Sequence, residues 1–176
     1  MKTRTESMIS EIHWINEAKI GKNQLGTMAR PRGNDWLEGE IQGLKDREID
    51  CLVSLLERDE EWELGLEDEA ATCRKSGIEF IGFPIKDVHT PVEDDQFIKL
   101  AKALAEKIRE NQKVVVHCRM GIGRASMLAA ATMINLGIEG EDVFEIISKY
   151  RKLKVPDTEA QKSWVLSLET KLQKEQ

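Results

Sequence analysis

The chain has 176 residues with 26 basic and 32 acidic side chains, a net charge of −6, and 40% hydrophobic residues, enough for one core and too few residues for two. The negative balance disfavours nucleic acid and anionic membrane as partners, and no apolar run approaches the roughly 20 residues of a membrane span. Three cysteines without regular spacing exclude a disulfide framework, and the basic start has no apolar stretch behind it to form a secretory leader. A cytoplasmic single domain over 1–176 is predicted, with 1–24 as an N-terminal extension carrying no assigned element.

In chain order, Leu25 to Met28 reads as a short strand closed by the turn-rich Arg30–Asn34. Asp35 then caps a helix with Leu37, Ile41 and Leu44 on one face. The apolar run Ile49–Leu55 suits a strand buried on both faces, and an acidic helix over Glu67–Ser76 ends at Gly77. Residues 78–83 form a strand stopped by Pro84, and a long loop carrying Asp87 and His89 follows to Val92. Phe97, Ile98, Ala101, Leu104, Ala105 and Ile108 make one apolar stripe of a helix. A β-branched strand, Lys113–His117, precedes an Ala-rich helix from Arg124 to Gly137. Two more helices follow, over 140–151 and 157–172, the second capped by Asp157. Alternating strands and helices predict an α/β fold: a mainly parallel sheet of four to five strands with helices on both faces.

The stretch Val114–Ser126, VVVHCRMGIGRAS, carries the chemistry. A loop between a parallel strand and a helix lies at the sheet edge where ligands bind. Gly121 and Gly123 permit a backbone whose N–H groups converge on an anion. Cys118 at the loop base gains thiolate character from those amides, and Arg124, six residues on, can fork onto two anion oxygens. A thiolate, a nest of donors and an Arg suit covalent phosphoryl transfer. Arg119, Met120, Gly121, Ile122, Gly123 and Arg124 would line the phosphate. Cys51 and Cys73 have Glu57 and Glu79 at the same offset, which repel an anion, so both read as core residues.

The segment His117-Cys118-x-x-Gly121-x-Gly123-Arg124 resembles the signature loop of the cysteine-based protein phosphatases, in their compact dual-specificity and tyrosine phosphatase-like group. The resemblance runs from about Gly26 to Gln161 and is strongest to the kinase-associated-phosphatase-like branch. It implies a phosphocysteine on Cys118, phosphate held by Arg124, an Asp on a separate loop as general acid, and no metal or other cofactor.

An alkoxide or phenolate leaves badly without a proton, so the chemistry needs that acid. Asp87 lies 31 residues before Cys118 in a Pro-x-x-Asp loop after a strand, a placing similar to the family's acid. Asp94 and Asp95 are rivals that fall in a helix first turn, where Asp ordinarily caps, and His89 is a further alternative. The branch's Thr-x-x-Gln stretch matches Thr158-Glu159-Ala160-Gln161, which makes Gln161 the residue to orient the hydrolytic water, or else a surface Gln. His117 is expected to be buried and to hydrogen-bond the loop. One departure stands out: the family's Ser or Thr after the Arg is Ala125 here, with Ser126 one residue later. The run ERDEEWELGLEDEA reads as a solvated acidic face, KYRKLK as a basic helix end, and Arg30 and Arg32 as a turn or a second anion contact.

The leading expectation is a phosphatase of phosphotyrosine, with phosphoserine and phosphothreonine as further substrates. Its partners would be a phosphorylated protein or peptide, and phosphate- or vanadate-type anions in the loop. The alternatives are a phosphatase of inositol lipids or small phosphoesters, and a weakly active phosphate-binding module.

Overall fold

The computed structural model describes residues 9–174. Five strands, β1 (His13–Trp14), β2 (Leu25–Met28), β3 (Cys51–Ser54), β4 (Glu79–Gly82) and β5 (Val114–His117), form one sheet in the order β1-β2-β5-β3-β4. All neighbours are parallel except β1, which pairs antiparallel with β2 through His13 opposite Thr27. The expected architecture holds, and the added edge strand comes from the N-terminal stretch to which the sequence assigned no element.

The central strand β5 explains its own composition. Val114 and Val116 face one apolar cluster and Val115 the other, so this strand is apolar throughout. Helices α1 (Leu37–Asp46) and α3 (Glu69–Lys75) cover the second face. The first face carries α4 (Asp94–Arg109), α5 (Arg124–Asn135), α6 (Gly140–Arg151), α7 (Glu159–Ser167) and α8 (Glu169–Leu172). All twelve residues of α5 are buried, and its alanines let α4, α6, α7 and α8 approach it. The predicted stripe of α4 is buried without exception, and its larger side chains each contribute about 1.5–3 kcal/mol.

Three local expectations are corrected. Asp35 makes no side-chain cap; α1 is entered through a 3-10 turn, Asn34–Trp36. A separate short helix, α2 (Arg58–Glu63), precedes α3, with Glu57 and Glu60 in a capping box. The last predicted helix is two, and Thr158 rather than Asp157 caps the first, because Thr158 Oγ1 accepts from the Gln161 N–H at 3.1 Å.

Candidate active site

The loop from Cys118 to Gly123 joins the central strand β5 to the buried helix α5, which fixes both of its ends. Its geometry is set by four successive carbonyls bonded outward. His117 Nδ1 lies 3.1 Å from the carbonyl oxygen of Cys118, and the backbone N–H of Arg30 donates to that of Arg119 at 3.2 Å. Arg151 at the end of α6 donates to Met120 O through Nη2 at 3.1 Å and to Gly121 O through Nε at 3.4 Å. In a trans peptide the following N–H points the opposite way, so the amides of residues 119 to 122 turn into the loop. This is an anion nest.

Two glycines are required here. Gly121 has φ +70°, and a Cβ there would lie 2.6 Å from the carbonyl carbon of Met28. A Cβ on Gly123 would lie 2.0 Å from Asp157 Oδ2. Cys118 is 3% exposed at the base of the loop. Burial pushes the thiols of Cys51 and Cys73 up to about 12, which leaves them inert, as expected of core residues.

Arg124 is buried, but its fork faces Glu60, not open space. Nη1 donates to Glu60 Oε2 at 2.7 Å and Nη2 to Oε1 at 2.8 Å, while Nη1 also reaches Ile85 O at 2.9 Å. Burial works against the charge on Glu60, yet the Arg124 hydrogen bonds and the Glu57 N–H outweigh it and hold this carboxyl below its usual range. Nη2 further meets Asp87 Oδ1 at 3.1 Å. Nε is buried and has no hydrogen-bond partner among the described residues, which leaves it as a donor for a ligand. Glu60 thus takes one edge of the guanidinium, and the edge made by Nε and the Nη2 that meets Asp87 is the one turned to a ligand.

Asp87 stands where the loop reading placed it, with its side chain 53% exposed. His89 closes the turn by contacting the carbonyl of Asp87 through Nδ1 at 2.7 Å. Asp94 and Asp95 lie in the first turn of α4 and line a groove with Lys171 that includes no residue of the catalytic loop. Gln161 is fully buried and within 3.2 Å of the position a Gly123 Cβ would take. Both ends of its amide are engaged: Oε1 accepts from Thr158 N–H at 3.2 Å, and Nε2 donates to His89 O at 3.3 Å. Met120 is 59% exposed at the mouth and Ile122 half-buried. Arg119 leans toward Glu63 at 3.3 Å. Arg32 donates through Nε to Glu40 at 2.6 Å and lies over the Trp36 ring.

Three carboxylates of the site were not legible in the sequence. Glu60 clamps Arg124. Glu69 Oε1 sits 2.5 Å from His117 Nε2, both side chains fully buried. Burial disfavours a cation on His117, but the charge and hydrogen bond of Glu69 outweigh it and raise the His117 pKa above its ordinary 6.5. The acidic run is therefore not wholly a solvated face. The third, Asp157, lies against Gly123; partial burial, then the charge of Asp87, push its carboxyl above the usual range. No group of three or more His, Cys, Asp or Glu among the described residues is arranged to hold a metal ion.

The same architecture recurs among solved phosphatases. Kinase associated phosphatase with its catalytic-site cysteine replaced by serine superposes with a TM-score of 0.82 at 20% identity, covering 93% of this chain and 96% of that one. Tk-PTP in its active form gives 0.73 at 22% identity over 90% and 96% of the two chains, and PTPMT1 in complex with PI(5)P gives 0.73 at 17% over 92% and 96%. Protein tyrosine phosphatase type IVA 2 of Mus musculus is 33% identical over 88 residues, 48% of this chain and 51% of the relative, as is that of Rattus norvegicus. The chain thus spans about half the length of these curated relatives. The fold and the loop define a dual-specificity phosphatase-like protein. More specifically, residues 26–138 match the family described as "Tc-R-P: Polymorphic toxin system, DSP-PTPase phosphatase", and the chain belongs to that family.

Proposed function

We propose that the protein hydrolyses phosphotyrosine in proteins or peptides, with phosphoserine and phosphothreonine as further substrates, through a phosphocysteine. The observation that carries this reading is the loop whose four carbonyls are bonded outward, with Cys118 at its base and the unpaired Nε–H of Arg124 beside it. The phosphoryl oxygens take the inward amides and Arg124 Nε. Cys118 Sγ attacks phosphorus in line, the P–O bond to the leaving group breaks, and Asp87 gives that oxygen its proton. Asp87 is half exposed and meets Arg124 Nη2 through one oxygen at 3.1 Å, and it turns from that contact toward the leaving oxygen. A water then attacks the phosphocysteine, oriented by Gln161 and deprotonated by Asp87, and the Cys118 thiolate departs.

The test is a panel of phosphotyrosyl and phosphoseryl peptides, inositol phosphates and nucleotides, assayed with EDTA present. Metal-independent hydrolysis led by phosphotyrosine is expected, with Cys118→Ser inactive but still binding vanadate. Retention of more than a few per cent of activity in Cys118→Ser would remove the covalent mechanism. PTPMT1 was crystallised in complex with PI(5)P, and activity confined to inositides would transfer the reading to that class.

A further inference from the structure

Of the loop carbonyls turned outward, two depend on one side chain. The Cys118 carbonyl meets the His117 ring, and the Arg119 carbonyl accepts the Arg30 N–H. Those of Met120 and Gly121 have a single donor among the described residues, the guanidinium of Arg151, through Nη2 at 3.1 Å and Nε at 3.4 Å. The two peptide units they belong to meet at Gly121. Each turns over by rotation about one Gly121 torsion and one torsion of its neighbour. Glycine torsions are the least restricted in a chain, so these are the units that the loop's own residues hold least. A unit that turned over would send its carbonyl into the nest and its N–H out, an acceptor where a phosphate needs a donor.

We propose that Arg151 is a positioning residue for phosphoryl transfer: it holds the Met120 and Gly121 carbonyls outward and so keeps the N–H groups of Gly121 and Ile122 turned to the phosphoryl oxygens, without touching the substrate. This rests on the phosphatase reading above and adds to it a residue from outside the signature loop. The fork is well anchored. Arg151 ends α6, whose Val143, Phe144 and Ile147 are buried, and the chain beyond is tied back by Leu153 N–H to Ser148 O at 3.2 Å and Val155 N–H to Ser148 Oγ at 3.0 Å. If the loop is ready for an anion only part of the time, the apparent Kd rises by the reciprocal of that fraction, and saturating ligand restores the ready form. Loss of Arg151 should therefore weaken binding far more than it slows the bound complex.

The experiment measures the vanadate Kd by calorimetry, kcat and KM for an aryl phosphate, and the urea midpoint, in the wild type, Arg151→Ala, Arg151→Lys and Lys152→Gln. Arg151→Ala should raise Kd and KM about 10–100-fold, the scale of one charge-assisted hydrogen bond lost from the nest, with kcat changed less than about fivefold. The rise should persist at about 0.5 M salt, which screens the loss of a cation but not a turned peptide. Lys152→Gln removes the neighbouring exposed cation, which has no bond to the loop, and should leave Kd within about twofold of the wild type. Arg151→Lys keeps the charge without the two-pronged fork and should recover only part of the affinity. Wild-type affinity in Arg151→Ala, or full recovery in Arg151→Lys, overturns the inference and leaves the phosphatase reading standing. A lowered kcat at unchanged KM, or a variant that does not fold, also overturns it, since Arg151 would then support the fold rather than the loop amides. A wild type that neither binds vanadate nor hydrolyses the aryl phosphate removes the phosphatase reading, and the inference with it.

Discussion

At the scale of single residues, Arg124 depends on Glu60, and that dependence is measurable. Glu60→Gln leaves a buried guanidinium short of its counter-charge, which costs about 3–5 kcal/mol and should appear as a lowered urea midpoint at unchanged m-value. The depressed Glu60 pKa keeps the clamp charged at neutral pH, and its stabilisation should be lost only as pH falls through and below the usual carboxylate range. Asp157 acts in the opposite sense, as a carboxylate at the mouth of an anion site. Asp157→Asn should tighten vanadate binding several-fold at pH 7, on the scale of one partly screened charge, with less gain at lower pH, where the wild-type carboxyl is protonated. Titration of vanadate affinity against pH checks both. Ala125 sets a third expectation. Ser126 Oγ is buried and unpaired among the described residues, and in the proposed mechanism, with no hydroxyl at 125, the departing thiolate relies on the loop amides. Phosphocysteine should therefore accumulate as a pre-steady-state burst, and Ala125→Ser should speed turnover very roughly 10–100-fold with little change in burst rate. Cys118, Arg124 and Asp87 were readable as candidates because chemistry constrains their local spacing. Glu60 and Glu69 were not, because their partners lie 64 and 48 residues away and nothing in an acidic run marks which carboxylate turns inward.

At the scale of elements, the catalytic loop is a set of clamps, and the first begins in α3. His117 donates through Nδ1 to the Cys118 carbonyl, so its Nε2 shares a single proton with Glu69. Because the folded His117 pKa is raised, the pair's stabilisation is fully present below pH 6.5 and fades as pH rises through the folded value. Urea midpoints for the wild type and Glu69→Gln should therefore differ most near pH 6 and converge at alkaline pH. A constant gap from pH 6 to 9 would mean that the pair is held by packing alone. Gly121→Ala should cost several kcal/mol or abolish folding, since the new methyl group meets backbone atoms of Met28 and Ala29 that cannot step aside. Element types were legible wherever periodicity was strong, as in the stripe of α4 and the apolar β5. Short α2 escaped because six charged and aromatic residues carry no period, and its capping box begins with Glu rather than Ser or Thr.

At the scale of the molecule, the site stands on the middle of the sheet, with its cysteine strand hydrogen-bonded on both sides. Anion binding should therefore stabilise the fold as a whole: vanadate at 100 times its Kd adds about 2.7 kcal/mol, and a raised Tm should be seen in Cys118→Ser as well as in the wild type. One hydrogen bond described above reaches further. Gln161 Nε2 holds the carbonyl of His89, two residues beyond Asp87, across 72 positions of sequence. In the proposed mechanism, the proton donor of the first half-reaction and the water guide of the second are thus two ends of one linkage. A displacement of the Asp87 loop that broke this bond would free the Gln161 amide for water. The two half-reactions would then be timed mechanically, the guide for hydrolysis being released by the movement that serves phosphoryl transfer.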